Sequence, residues 1–445
     1  MKFVAMTSDS MVTTVTQASS SMRRTDARAG FLVWLFPQPQ TVDLSISGER
    51  CIGRDKSCEI CLQGNDVSRR HALLKRARDA TKSTLVDLGS RNGIRVNGRR
   101  VTRTDLGDGD VVRVGGWVGV VSSASASFGE IVPGLWGGDV LAAAVAPLRN
   151  AAATDLPVIL EGETGSGKEV AARGIHVLSG RTGPFVAVNC AALPEGLAEA
   201  ELFGYRRGAF TGADRASPGL FRGAEAGTLL LDEVADLHPA VQAKLLRVLE
   251  QREVLPLGET RPVRIDARFV VACQQPLRGD VAAGRFRADL LGRLDGLTVR
   301  LPALRERRPD VLPLFSHFLR SLGGWTPAME TSFVERLCLY DWPFNVRELL
   351  LQGRRLATLF KDESTLLGQH LPERIGEQAL SADSPRATST DPVDLPALIS
   401  ALRSSGGNVA RAAAMMGITR QRAYRLMEAQ AVDLQGLRKH GDPPP

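Results

Sequence analysis

Val158-Ile-Leu-Glu-Gly162-Glu-Thr-Gly-Ser-Gly-Lys168 decides how the middle of this chain is read. Val158–Leu160 is an apolar strand, Gly162 to Lys168 fits the spacing Gly-x4-Gly-Lys, and the stretch Glu169–Leu178 has helical periodicity. A strand that turns through glycines into a helix lets successive backbone N–H groups wrap a phosphate, and the helix N-terminus adds favourable partial charge. Lys168 supplies a point charge for β- and γ-phosphates. Gly162, Glu163, Thr164, Gly165, Ser166, Gly167, Lys168 and Glu169 are therefore the candidate nucleotide-binding residues. The bland alternative is a glycine-rich turn with a chance lysine.

A second element argues against that alternative. Thr228-Leu-Leu-Leu-Asp232-Glu233 is an apolar strand ending in two carboxylates, which would stand at the carboxyl edge of a sheet beside the phosphates. There Asp232 would hold magnesium, and Glu233 would orient and polarise an attacking water. Working outward, the strands Val158–Leu160, Val186–Val188, Thr228–Leu231 and Phe269–Ala272 alternate with helical stretches such as Pro239–Gln251. That alternation over 130–302 implies a parallel α/β sheet, and 303–375 reads as a smaller helical lid.

The flanks have other textures. Residues 1–28 are Ser/Thr-rich and read as a disordered lead. Between 29 and 125 short alternating runs (Phe31–Leu35, Val42–Ile46, Ala72–Lys75, Thr84–Leu88, Val111–Val114) are separated by turn clusters, the pattern of a β-sandwich. Residues 376–393 are a linker by composition, 394–432 return to helical periodicity, and 433–445 are a tail.

Composition is that of a globular chain: 43% hydrophobic and 24% charged residues over 445 positions exclude wholesale disorder and a small disulfide scaffold. A net charge of +7 permits an anionic partner. Six scattered Cys read as reduced thiols, and the Cys58-x-x-Cys61 pair lacks the second pair that a tetrahedral zinc site wants, so these read as strand residues. No apolar run reaches the roughly 18 residues of a membrane span, and the N-terminus makes no convincing signal peptide; the expectation is a cytoplasmic protein with no membrane contact.

Glu201-Leu-Phe-Gly-Tyr-Arg-Arg-Gly208-Ala-Phe-Thr-Gly-Ala213 carries a resemblance. Over roughly 130–375 the sequence resembles the AAA+ ATPases that activate sigma-54 RNA polymerase, the bacterial enhancer-binding proteins. Gly208, Ala209, Phe210, Thr211, Gly212 and Ala213 read GAFTGA, the sigma-contacting loop of that family, with glycines for backbone freedom at both ends and a large apolar tip between them. In that family Glu replaces Ser/Thr after the phosphate-loop Lys, as Glu169 does here; Tyr205 stands where the family often has His. The resemblance implies ATP and Mg2+ as cofactors. It also implies that Asn189 hydrogen-bonds Glu233 and switches it between idle and active positions. Phe286-Arg287-Ala-Asp289-Leu-Leu-Gly-Arg293-Leu294 resembles the segment whose arginines reach the γ-phosphate of a neighbouring subunit, a role for Arg287 and Arg293 that implies a homo-oligomeric ring, a hexamer when active, with a dimer at rest as an alternative. Trp342-Pro-Phe-Asn345-Val-Arg347-Glu348-Leu349 resembles the sensor II region, with Arg347 touching nucleotide from the lid; Phe344 replaces the usual Gly, so the turn there is expected to differ. Gln274 ends the sensor I strand, where the family has Asn, and is one methylene longer. Leu301-Pro-Ala-Leu-Arg-Glu-Arg307 also resembles the family at the lid boundary.

Both flanking modules carry resemblances too. Gly407 to Leu426 has helix–turn–helix spacing and looks like the Fis-type DNA-binding end of the same family, with Thr419 as N-cap of a second helix. Thr419, Arg420, Gln421, Arg422, Tyr424 and Arg425 are its candidate contacts to enhancer DNA. Gly53-Arg54, Ser68-Arg-Arg-His71 and Asp87-Leu-Gly-Ser-Arg-Asn92-Gly93 resemble the forkhead-associated (FHA) domain, which binds phosphothreonine peptides. Arg54, Ser68, Arg69, Arg91 and Asn92 would grip phosphate and peptide backbone, and His71 would buttress the loops. The expected architecture is multidomain: an N-terminal all-β FHA sandwich, a central α/β AAA+ P-loop domain with a helical lid, and a C-terminal all-α helix–turn–helix. The expected function is sigma-54-dependent activation of transcription, with a phosphothreonine-containing protein as input and the sigma-54 holoenzyme as client. Two alternatives stand beside it: a DNA-binding repressor with an idle ATPase core, and a AAA+ remodeller of a different client.

Overall fold

The computed structural model describes residues 30–78, 81–125, 127–194 and 196–380. The expected lead (1–28) and the candidate helix–turn–helix (394–432) lie outside them.

The first module is a sandwich. One sheet runs in the order Gln40–Asp43, Phe31–Phe36, Trp117–Ser122, Val111–Val114, Ile94–Val96, Arg99–Val101. The other runs Ile60–Cys61, Gly48–Gly53, Ala72–Arg76, Ser83–Asp87, Arg103–Leu106. Alternate residues of both sheets (Leu32, Trp34, Ile52, Leu74, Leu85, Val112, Trp117) fill the space between them. The Trp34 and Trp117 rings meet edge to face at 6.0 Å.

The strand Trp117–Ser122 is buried at all six positions, which one sandwich core cannot explain. Its second face is covered by the helical lid of the next module. Val111, Val118 and Val120 share a core with Leu304, Val311, Phe315 and Phe333. At the rim Arg113 pairs with Glu335 at 2.7 Å, and the Thr331 hydroxyl donates to the Gly116 carbonyl at 3.3 Å. The sandwich and the ATPase-like module thus form one body.

A hairpin, Phe128–Val132 with Leu135–Gly138, leads into the second module. Its sheet is wholly parallel, in the order Phe185–Asn189, Thr228–Asp232, Arg268–Cys273, Val158–Glu161, Leu297–Arg300. The three central strands are buried on both faces and mostly apolar, as inner strands of a parallel sheet require, whereas the edge strands Phe185–Asn189 and Leu297–Arg300 keep exposed positions. Helices Val311–Ser321, Thr331–Leu339 and Asn345–Leu359 make the lid. The last helix among the described residues, Glu373–Leu380, crosses the boundary expected at 375, so the stretch read as linker begins helical. Ile375, fully buried in the lid core, anchors that helix against the chain's own composition signal.

Candidate nucleotide site and the loops around it

The phosphate loop joins the strand Val158–Glu161 to the helix Lys168–Ser179. Gly162, Gly165 and Gly167 all take positive φ. Gly165 has a further reason to lack a side chain: a Cβ there would lie 2.2 Å from the Phe344 carbonyl oxygen and 2.9 Å from Cβ of Arg347. Lys168 is buried and donates to the Gly162 carbonyl at 2.7 Å. The Ser166 hydroxyl is buried with no partner. A buried ammonium, an unpartnered hydroxyl and a ring of glycine backbone fit the phosphates of a nucleotide. Glu169 points along the outer helix face and pairs with Arg173 at 2.9 Å.

The lid grips this loop directly, through contacts that the sequence motifs did not assign. Arg305 forms a bidentate pair with Glu163, one limb at 2.7 Å, and that pairing holds the Glu163 carboxyl below its usual range. Asn345, fully buried at φ +52, donates to the Thr164 carbonyl at 3.0 Å and to Glu163 at 3.2 Å, and accepts from Leu304 N–H at 2.7 Å. Val346 N–H donates to Gly165, and Arg307 donates to the Ser166 carbonyl at 3.2 Å. Arg347, exposed in the first turn of the same helix, stands beside Gly165. Phe344 sits at φ −105, where any residue fits; the left-handed positions of this turn are Trp342 and Asn345, so the missing glycine costs nothing.

Asp232 and Glu233 end the strand Thr228–Asp232, and an Asp232 carboxylate oxygen accepts from Glu233 N–H at 3.1 Å. Glu233 has φ 53 and ψ 47. Its carboxylate accepts from the Gln274 side-chain amide at 2.9 Å. The bond that the resemblance implied from Asn189 is not made: the Asn189 side chain accepts from Ala191 N–H at 3.0 Å and caps its own turn. Burial, reinforced by these carboxylates, pushes the Cys190 thiol up to about 12, and burial does the same to Cys273.

Arg287 and Arg293 are exposed and rest on carboxylates of their own chain, Arg287 on Asp289 at 2.6 Å and Arg293 on Glu250 at 3.1 Å. The loop Gly208–Ala213 stands on a backbone-pinned neck. Tyr205 exchanges hydrogen bonds with Ser217, and Arg206 N–H donates to Leu257. Gly208 and Gly212 take φ +77 and +95. Ala213 is buried at the base, whereas Phe210 is 37% exposed and leans on Tyr205, ring centres 5.0 Å apart.

On the sandwich, Arg54, Ser68, Arg69, Arg91 and Asn92 gather on neighbouring loops at one edge. Arg54 N–H donates to the Ser68 carbonyl, Arg91 N–H to the Ser68 hydroxyl at 3.2 Å, and the Asn92 amide to the Asp66 carbonyl at 2.7 Å. Gly53 permits the approach, since a Cβ there would meet the Arg69 carbonyl oxygen at 2.1 Å. His71 is fully buried and ties the loops, accepting from Ser68 N–H at 3.1 Å and bonding the Gly93 carbonyl at 3.1 Å. The four guanidinium and amide side chains are exposed. Cys58 is a buried turn residue rather than a strand residue, its sulfur 2.8 Å from that of Cys51. Among the described residues no cluster of three His, Cys, Asp or Glu could hold a metal, and no helix is long and apolar enough to cross a membrane.

Known proteins match the chain in three blocks: the sigma-54 interaction domain over 138–300, the FHA domain over 50–115 and the AAA+ ATPase lid domain over 305–388. The acetoin dehydrogenase operon transcriptional activator AcoR of Bacillus subtilis is 41% identical over 291 residues, 63% of this chain and 48% of that protein. The transcriptional regulatory protein GlrR of Escherichia coli is 38% identical over 296 residues, 65% of this chain and 66% of that protein. The chain thus spans between about half and two thirds of these curated relatives. The crystal structure of NtrX from Brucella abortus in complex with ATP is 30% identical, covers 67% of this chain and 69% of that one, and superposes with a TM-score of 0.50; the ADP complex gives 31%, 70% of that chain and 0.51. A nucleotide loop at the end of a strand of the parallel sheet, an exposed Phe-tipped loop in the connection between the strands Phe185–Asn189 and Thr228–Asp232, the helical lid, and these relatives together mean that the chain belongs to the transcriptional regulators built on a sigma-54 interaction domain, with an FHA domain ahead of it.

Proposed function

We propose that this chain hydrolyses ATP in a homo-oligomeric ring and uses the turnover to remodel sigma-54 RNA polymerase at promoters, under control of a phosphothreonine protein bound by the FHA domain. The observation that carries the reading is a phosphate loop with a buried Lys168 and an unpartnered Ser166 hydroxyl, in the same module as the bridged neck that holds Phe210 out to solvent. An exposed phenyl ring on a glycine-flanked loop calls for a receiving partner.

In this reading the backbone of Gly162–Lys168 and the Lys168 ammonium bind the phosphates, with Glu169 at the helix start and Arg347 and Gln274 approaching from lid and sheet. Asp232 keeps one oxygen beyond its bond to Glu233 N–H and would hold Mg2+, which supplies charge neutralisation at the phosphates. Glu233 orients and deprotonates water. Asn189 borders that carboxylate from the next strand. Arg287 and Arg293, held at the surface by single exposed carboxylates, are free to exchange those partners for a neighbouring subunit's γ-phosphate. Arg54, Ser68, Arg69 and Arg91 would take the phosphate of a phosphothreonine and Asn92 the peptide backbone. The division proposed is FHA domain to 125, ATPase 130–302, lid 303–375 and a DNA-tethering helix–turn–helix at 394–432, which places the protein in the cytoplasm on enhancer DNA.

The test is open-complex formation on a sigma-54 promoter with purified protein, polymerase, ATP and a Phe210→Ala control. Opening by the wild type alone supports the reading. ATP turnover without opening in either protein favours a different client, and DNA binding without turnover favours a repressor with an idle core.

A further inference from the structure

Three neighbouring strands of the sandwich bring arginines into one row. Arg100 of Arg99–Val101 lies directly opposite Arg95 of Ile94–Val96, and Arg95 lies directly opposite Arg113 of Val111–Val114. Opposed residues share a face of the sheet, with Cβ atoms roughly 5 Å apart. Ile94, Val96, Val112 and Val114 point into the sandwich core, so the arginines stand on the outer face. Like charges set opposite one another destabilise a sheet. Arg113 is neutralised by Glu335 at 2.7 Å. Arg95 and Arg100 are exposed, and among the described residues neither side chain has an ion-pair or hydrogen-bond partner. A charge that guards a sheet edge would account for Arg100, which is on the outermost strand. It does not account for Arg95, whose strand is paired on both sides.

The row begins beside the loops that gather Arg54, Ser68, Arg91 and Asn92. Gly93 follows Asn92, and a Cβ on it would lie 2.5 Å from Nε of Arg100, so the Arg100 guanidinium rests against that loop. The Gly93 carbonyl is bonded to the buried His71 at 3.1 Å, which fixes the loop at that point. Arg95 comes three residues after Asn92 and so lies within about 11 Å of it. An extended peptide covers that distance in about three or four residues.

We propose that Arg95 and Arg100 form a second anion-binding site on the FHA domain, taking a carboxylate or a second phosphate a few residues from the phosphothreonine of the same partner peptide. This rests on the reading that the domain binds phosphothreonine. Two guanidinium groups on facing strands converge on one anionic group, whose charge-assisted bonds offset their mutual repulsion. The loop residues grip what every phosphothreonine shares, whereas this row chooses among the peptides that carry one.

The experiment uses the full chain and fluorescence anisotropy with synthetic peptides. The base peptide has one phosphothreonine among neutral residues. Two further sets move a single glutamate, or a single phosphoserine, through the five positions on either side. The proteins are wild type, Arg95→Gln, Arg100→Gln and the double variant. In the wild type at least one placement is expected to tighten binding by about 3–10-fold over the base peptide, and by more at low salt. In the double variant that gain is expected to shrink below about 1.5-fold, with base-peptide affinity within about twofold of wild type. Its thermal midpoint is expected to be no lower, because a like-charge repulsion has been removed. Equal gains from glutamate and phosphoserine assign the site to carboxylates, and a gain from phosphoserine alone assigns it to a second phosphate. No gain at any placement overturns the proposal. So does a gain that survives in the double variant, and so does an equal loss on the base peptide, which would put both arginines in the phosphothreonine pocket. A double variant that keeps the peptide ranking but loses binding to duplex DNA also overturns it, in favour of nucleic acid. A wild type that binds the base peptide no better than its unphosphorylated form sinks the phosphothreonine reading itself, and this inference with it.

Discussion

Arg113 and Glu335 are 222 positions apart in sequence and 2.7 Å apart in space. The pair joins a sandwich strand to a lid helix, with Glu335 nearly buried and Arg113 about a quarter exposed. Removing either partner leaves a charge stranded at the rim of a shared apolar core. Arg113→Ala and Glu335→Ala are each expected to lower stability by about 1–3 kcal/mol, less than a fully buried pair would lose because Arg113 keeps contact with water. The double variant is expected to lose less than the sum, and calorimetry on the four proteins measures the coupling.

Gly165 faces the Phe344 carbonyl across a gap with no room for a methyl group. Gly165→Ala also places an L-residue at φ +76. Nucleotide affinity is expected to fall at least 10-fold, while the thermal midpoint of the ligand-free protein drops by a few degrees. Unchanged ADP binding in the alanine variant would mean that the lid and loop part easily.

Within the FHA domain two kinds of loss should separate. His71→Ala strips partners from the part-buried Ser68 N–H and the buried Gly93 carbonyl, and is expected to cost about 1–3 kcal/mol of stability. Arg54→Ala touches an exposed side chain and is expected to leave stability within about 0.5 kcal/mol. Phosphothreonine-peptide binding, followed by fluorescence anisotropy, should fall more than 10-fold in the Arg54 variant.

Four thiols make the fold sensitive to alkali. Burial pushes Cys58, Cys190, Cys273 and Cys338 up to about 12 from an unperturbed 9.0. The folded state keeps these protons after the unfolded chain has released them. Stability is therefore intact below pH 9 and is lost progressively as pH rises from about 9 toward 12. A melting midpoint that stays level to pH 9 and then falls, with a smaller fall in Cys338→Ala relative to its own neutral value, is the expected profile.

The strand ends, the phosphate loop and the two carboxylates were legible in the sequence, because glycine spacing and a terminal Asp-Glu leave little choice of geometry. The partner of Glu233 was not. Which amide reaches it depends on the order of three strands that are 40 or more residues apart, and on one methylene in Gln274. The union of sandwich and lid did leave a trace. Trp117-Val-Gly-Val-Val is a continuous apolar run where a one-sided strand would alternate. Arg305 and Asn345 stood in recognisable motifs, yet their grip on Glu163 and Thr164 needs the lid folded back onto the loop. Phe344 looked like a departure that must bend the turn, but the positive φ values fall on its neighbours instead.

The grip on the phosphate loop has a mechanical consequence. Asn345 and Val346 hold the loop at one end of a helix of 15 residues, Asn345–Leu359. Such a helix is a rod about 22 Å long, so a tilt of about 5° at the loop swings its far end by about 2 Å. A small shift of the loop would thus be enlarged along the helix, which is bound into the lid core through Leu349 and Leu356 and carries the exposed Leu351 and Leu359.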